Sequence, residues 1–150
     1  MHPLFDVYLE KTRSLHAEFA KVLDGLTPAQ LDWSPAPNAN SLAVLATHVA
    51  GAERYWLVDV VGGRASQRDR AAEYRTANAD AAALQEYLAA AGAAVAEGVS
   101  RLTLDDLERI LYSPQHQREN TVAWALVHVF EHTATHLGHA QAVRDLLDGQ

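Results

Sequence analysis

The chain contains no cysteine among its 150 residues. That absence excludes disulfides, thiolate metal knuckles and an internal cysteine nucleophile. Lysine is scarce too: there are two, against ten arginines, and the formal net charge is −7. No basic stripe is visible, so nucleic-acid binding lacks its electrostatic footing. No stretch approaches the ~20 apolar residues of a membrane span. The opening MHPLFDVYLEKTR has no long apolar run behind a basic stretch, so no signal peptide is expected. These readings point to a cytoplasmic protein with neither nucleic acid nor membrane as partner. No segment alternates as a strand does, and no P-loop, dinucleotide fingerprint or Ser-His-Asp arrangement is present.

What is present suits a single domain over residues 1–150, long enough to bury a core. Leu4, Val7, Tyr8, Leu15, Phe19, Val22 and Leu23 recur at helical spacing, giving a first helix from about Leu4 to Gly25. In LTPAQL, Thr27 can cap a short turn, with Pro28 at its first position and Gln30 closing a capping box. Pro35 and Pro37 then enforce an extended loop. Ser41 opens a second long helix that ends at Gly62 and Gly63. RASQRDRAAEYRTANAD reads as a polar surface connection, and an alanine-rich third helix runs from about Ala81 to Leu102. Thr103 can cap another short turn, and YSPQHQREN leads into the last helix, capped by Asn120 or Thr121 and stopped at Gly149. Four long helices define an all-α four-helix bundle.

The last helix holds the chemistry. HVFEHTATHLGH places His128, His132, His136 and His139, half of the chain's eight histidines, within twelve residues. At ~100° per residue the last three lie about 40°, 80° and 20° round from His128, all on one stripe. Imidazoles one turn apart can share an ion, which is how H-E-x-x-H helices hold zinc. The competing reading is a stripe of histidines bonded to backbone carbonyls or to solvent. A pair needs a third ligand from elsewhere. His48, the one histidine of the second long helix, lies among Leu45, Val49 and Ala52 and so faces the bundle. Three imidazoles and an open position make a catalytic type of zinc site. Zinc or nickel is expected foremost, and imidazole also suits iron and copper.

A weak internal repeat relates the two helices. NSLAVLATHV (40–49) and NTVAWALVHV (120–129) share Asn, Ser or Thr, an apolar residue, Ala, and His-Val, and LTPAQL and LTLDDL precede them. The repeat matches His48 with His128. His128 also lies on the stripe one turn before His132 and can ligate in place of His136, so His48, His128 and His132 form an alternative triad. Glu53 lies about 140° round from His48 and is not expected to ligate with it; helix packing or the orientation of another residue suits it better. Tyr55, on the face of His48, can line a cleft. Trp33, Trp56 and Trp124 read as core, and His2, His16 and His116 as surface.

TVAWALVHVFEHTATHLGHAQAVRDLL, with SLAVLATHVAGAERYWL upstream, resembles the DinB/YfiT-like family of metalloenzymes. The resemblance covers most of the chain. It implies an up-down-down-up bundle and a metal triad at His48, His132 and His136. Members often carry Gln where this chain has His139, so His139 is a supporting partner or a substrate contact, and Tyr55 and His139 stand as the catalytic candidates. Some relatives are thiol S-transferases using bacillithiol, mycothiol or glutathione; others are metal-dependent hydrolases or a thiol-dependent isomerase. The resemblance therefore implies a metal-dependent enzyme joining a low-molecular-weight thiol to a small electrophile. A hydrolase and a non-catalytic, stress-associated metal-binding module are the alternatives. Relatives are often dimers, and a homodimer is expected.

Overall fold

The structure, a computed structural model, describes residues 1–149. Four long helices carry it: α1 (Pro3–Leu23), α3 (Leu42–Glu53), α5 (Ala81–Val99) and α6 (Val122–Asp148), with two one-turn helices, α2 (Pro28–Leu31) and α4 (Arg70–Glu73). The local signals act where the sequence places them. Thr27 and Gln30 form the expected capping box. Ser41 Oγ accepts from Val44 N, and Thr121 Oγ1 from Trp124 N, so the Ser/Thr positions of the internal repeat are N-caps of α3 and α6. Gly149 is the C-cap of α6.

Three contacts fix the connection. The amide of Gln85, early in α5, donates to Ala20 O near the end of α1, so these helices are antiparallel. Arg144, late in α6, donates to Val22 O and Asp24 O, so α6 runs parallel to α1. Gly98, at the end of α5, lies against Leu57 O just beyond α3, so α3 and α5 run parallel. The result is an up-down-down-up four-helix bundle in which α1 and α3 each pack against both α5 and α6. No described helix is long and apolar enough to cross a membrane.

The interior has two apolar ends. One contains Phe19, Leu23, Leu42, Leu45, Leu88 and Leu137. The other contains Phe5, Leu9, Trp56, Val95, Val122 and Val129. On every long helix the residues between these ends are polar or small: Thr12 and His16 on α1, Glu53 on α3, Gly92 on α5 and Thr133 on α6. They form a layer in which Glu53, wholly buried, accepts from His16 Nε2 at 2.9 Å and from Thr133 Oγ1 at 2.7 Å. A side chain at Gly92 would overlap the His16 ring, so glycine there makes room for it. His16 is therefore an interior partner of Glu53 and not a surface residue. Tyr8 also faces this layer; burial, reinforced by the Glu53 charge, raises its phenol well above the usual range.

Two elements depart from the sequence reading. After Glu53 the second long helix continues as a π-helix over Arg54–Val60. YSPQHQREN is not a plain loop: Ile110–Ser113 (β1) and Arg118–Thr121 (β2) pair antiparallel as a hairpin. Each strand has four residues, too few for alternation to register against the helical background. Its tip is tied down, because the Tyr55 hydroxyl lies 2.6 Å from Ser113 Oγ and accepts from Gln115 N.

Candidate metal centre

α3 and α6 bring three of the histidines together. His48, His132 and His136 each offer a ring nitrogen, and the three atoms lie within 4.8 Å of one another. His48 is buried and the other two are half-buried, so the cluster is accessible from the α6 side. His48 Nε2 stands 3.0 Å from His132 Nε2. The i, i+4 spacing sets the second contact, with the rings of His132 and His136 4.4 Å apart at their centroids.

Glu73 fixes the protonation of His48. Its Oε2 lies 2.9 Å from His48 Nδ1. A carboxylate can only accept, so Nδ1 carries a proton, and Nε2 is the ring nitrogen turned to His132. Arg68 grips the same carboxylate in fork geometry, Nε to Oε1 at 2.6 Å and Nη2 to Oε2 at 2.8 Å. Burial raises the Glu73 pKa, but the hydrogen bonds from Arg68 and His48 outweigh it and leave it below the usual carboxylate range. Gly51 lets this happen, since a Cβ there would overlap Glu73 Oε1.

The donor set fits a cation. His132 Nδ1 and His136 Nδ1 are buried without a hydrogen-bond partner. With its proton on Nε2, His132 bonds His48 directly; with the proton on Nδ1, two Nε2 atoms 3.0 Å apart need a shared electrophile, and Nδ1 lacks a partner in either case. Burial, then His136 and His48, pushes His132 down to about 3. Burial, then His48 and His139, pushes His136 down to about 4. Both rings are therefore neutral at physiological pH, the form that binds metal.

The other sequence candidates lie around this cluster. His128 stacks on Trp124 at 4.5 Å and 15°, its ring 5.7 Å from His132. Burial and Arg118 lower its pKa. His139 is exposed, its ring 5.5 Å from that of His136. Tyr55 is buried with its hydroxyl committed to the hairpin. Of the tryptophans, Trp56 is core, while Trp33 and Trp124 are partly buried against the two apolar ends. Of the histidines read as surface, His2 is exposed and caps α1, accepting from Leu4 N, and His116 is exposed on one side while its ring stacks on Trp56.

Glu73, Arg68 and Tyr74, whose ring lies 5.1 Å from that of His48, were not singled out by the sequence reading. They lie in the stretch read as a surface connection. One local signal was available: Asp69 ahead of Arg-Ala-Ala-Glu is an N-cap, and its carboxylate accepts from Ala72 N to start α4. That signal marks a helical turn but not where the turn docks.

Fold and site together define a DinB/YfiT-like bundle with a histidine cluster between its second and fourth long helices. The chain belongs to the mycothiol-S-transferase family, which it matches over residues 6–149. No curated protein sequence matches it. Among solved structures, a conserved protein from Enterococcus faecalis is similar over 97% of both chains, at TM-score 0.82 and 18% identity. YfiT from Bacillus subtilis, described as a probable metal-dependent hydrolase with an unusual four-helix bundle topology, is 16% identical at TM-score 0.76, over 95% of this chain and 87% of its own. A mycothiol-dependent maleylpyruvate isomerase is 15% identical at TM-score 0.65; 89% of this chain covers 59% of that one. At these identities the likeness concerns the fold.

Proposed function

We propose that His48, His132 and His136 hold one divalent metal ion, zinc or nickel foremost, and that the chain is an enzyme transferring a low-molecular-weight thiol to a small electrophile. The observation that carries this is the convergence of three imidazoles, two of them held neutral, in a chain without cysteine. A thiol nucleophile must then arrive with the cosubstrate. Membership of the mycothiol-S-transferase family favours mycothiol over bacillithiol or glutathione. A bound divalent cation supplies the positive charge that favours thiolate over thiol, or hydroxide over water, near neutral pH.

The chain's own residues set the geometry for that chemistry. Glu73 orients His48 and fixes its tautomer, as carboxylate partners do for metal-binding imidazoles. Its negative charge, shared with Arg68, lies directly behind the His48 ring. The half-buried side of His132 and His136, next to exposed Tyr74 and His139, is where the electrophile approaches. Tyr55 serves this reading by anchoring the hairpin and not by touching substrate.

The test is a two-panel assay on metal-loaded protein. Mycothiol, bacillithiol and glutathione are offered with a chlorinated dinitrobenzene, and esters and amides are offered without thiol. Turnover that needs both thiol and metal, and that falls to background in His48→Ala, supports transfer. Thiol-independent ester cleavage supports hydrolysis, the activity in the description of YfiT. Activity in neither panel leaves a metal-binding module.

A further inference from the structure

A cavity of roughly 640 Å³ is not lined by the three imidazoles. It lies on the far side of the Arg68–Glu73 pair, between the π-helical segment, the 64–76 connection and α5. Glu73 is common to both: it bonds His48 on one side and lines the cavity on the other. The lining is mixed, and among its polar residues are Thr47, Arg54, Arg64, Gln67, Arg68 and Tyr87.

Arginine is concentrated there. Net charge is −7 and there are ten arginines, yet three of them line this one hollow. Two of these, Arg54 and Arg64, make no side-chain hydrogen bond or ion pair among the described residues. The third is half committed. Arg68 uses Nε and Nη2 on Glu73, and a guanidinium has five N–H donors, so the Nη1 edge is free to bind a second anion in the same plane. Against these stand Asp59, Asp69 and Glu73 in the same lining, so its formal charge is zero. Asp69 caps α4 and lies 3.9 Å from Arg75, which leaves Asp59 as the one carboxylate there with no side-chain partner. A solitary exposed arginine needs no ligand. Two uncommitted guanidiniums and the edge of a buried third, lining one hollow that also presents hydroxyl and amide groups, match an oxyanion attached to a hydrogen-bonding body.

We propose that this cavity binds a small hydroxylated organic anion, a carboxylate or phosphate monoester, held by Arg54, Arg64 and the free edge of Arg68. The site is separate from the imidazole cluster and holds whether the enzyme transfers a thiol or hydrolyses an ester. Its ligand would sit against Glu73, one residue removed from His48.

Isothermal titration of the full chain tests this with glycerol 3-phosphate and gluconate as probes and glycerol as the neutral control. The expected result is saturable binding of at least one anion, none of glycerol, and at least tenfold weaker binding in R54A/R64A. Both arginines are exposed, so the double variant should melt with the wild type. His132→Ala should bind the probe as the wild type does. Three results overturn the proposal: no saturable binding of either anion, binding indifferent to R54A/R64A, or binding that His132→Ala removes, which would place the anion at the imidazoles.

Discussion

Glu73 is the residue whose loss separates positioning from ligation. Removing a carboxylate that orients a metal-binding imidazole costs roughly 10–100-fold in metal affinity. Glu73→Gln should therefore weaken metal binding on that order while leaving stoichiometry at one when metal is saturating. His48→Ala, His132→Ala and His136→Ala should each abolish tight binding, and His128→Ala should leave it intact; elemental analysis of untagged protein reads all four. The pH dependence follows from the depressed histidines. His132 and His136 titrate at about 3 and about 4 in the folded chain, against an ordinary value of 6.5. The unfolded state binds more protons between these limits, so this part of the stability is present above pH ~6.5 and is lost as pH falls towards 4 and below. Metal-free protein should show a falling urea midpoint through that window, and H132A/H136A a shallower fall. Because the folded rings resist protonation, metal should also survive to lower pH than free imidazole would allow. The histidine stripe was legible because four residues of one type at helical spacing stand out in any sequence. Glu73 was not, because its meaning comes from the docking of α4 over Gly51, and nothing local encodes that.

Among elements, α3 depends on what crosses it. Alanine at Gly51 should displace Glu73 without disturbing the helix itself, for which alanine is the better residue. Gly51→Ala is thus expected to lower metal affinity as Glu73→Gln does, read by competition with a chelator. The internal repeat has a physical content that sequence comparison alone left open. Its two halves share a capping turn, Thr27 with Gln30 and Thr103 with Asp106, followed by a Ser or Thr N-cap. The signals that start α3 and α6 are the same, whatever their history. The repeat does not extend to the cluster: it pairs His48 with His128, whereas His48 meets His132. Thr121→Ala should cost about 1 kcal/mol in urea unfolding, the usual worth of an N-cap. The hairpin escaped notice because four-residue strands have no period to read. Its role is tertiary, carrying Ser113 and Gln115 to the Tyr55 hydroxyl.

At the scale of the molecule, the bundle is two apolar packings joined through one polar layer. Helix number and the parallel pairs α1/α6 and α3/α5 follow from segment lengths and from the connection that the family resemblance implies. The layer was hidden, because Thr12, His16, Glu53, Gly92 and Thr133 are scattered over 122 positions and meet only when four helices align. Of the two roles its position on the helix suits, packing or orienting another residue, Glu53 takes the second towards Thr133, the residue after His132. Removing one partner of a buried hydrogen bond costs about 1–3 kcal/mol because the other group is left short of a partner. His16→Ala should approach that loss in chemical denaturation, far more than a surface histidine would.

The stacking of Trp124 on His128, with Trp56 edge-on to both, makes the molecule its own optical sensor. Two of three tryptophans lie within one or two rings of His132, while Trp33 packs at the opposite apolar end. Their emission should respond to the identity of the ion. Nickel or copper, with open d shells, should quench it on binding, whereas zinc, with a filled shell, should leave it bright. Trp124→Phe should remove much of the response. A cuvette titration would then distinguish occupancy by a spectroscopically silent metal from occupancy by an open-shell one, without a label and without turnover.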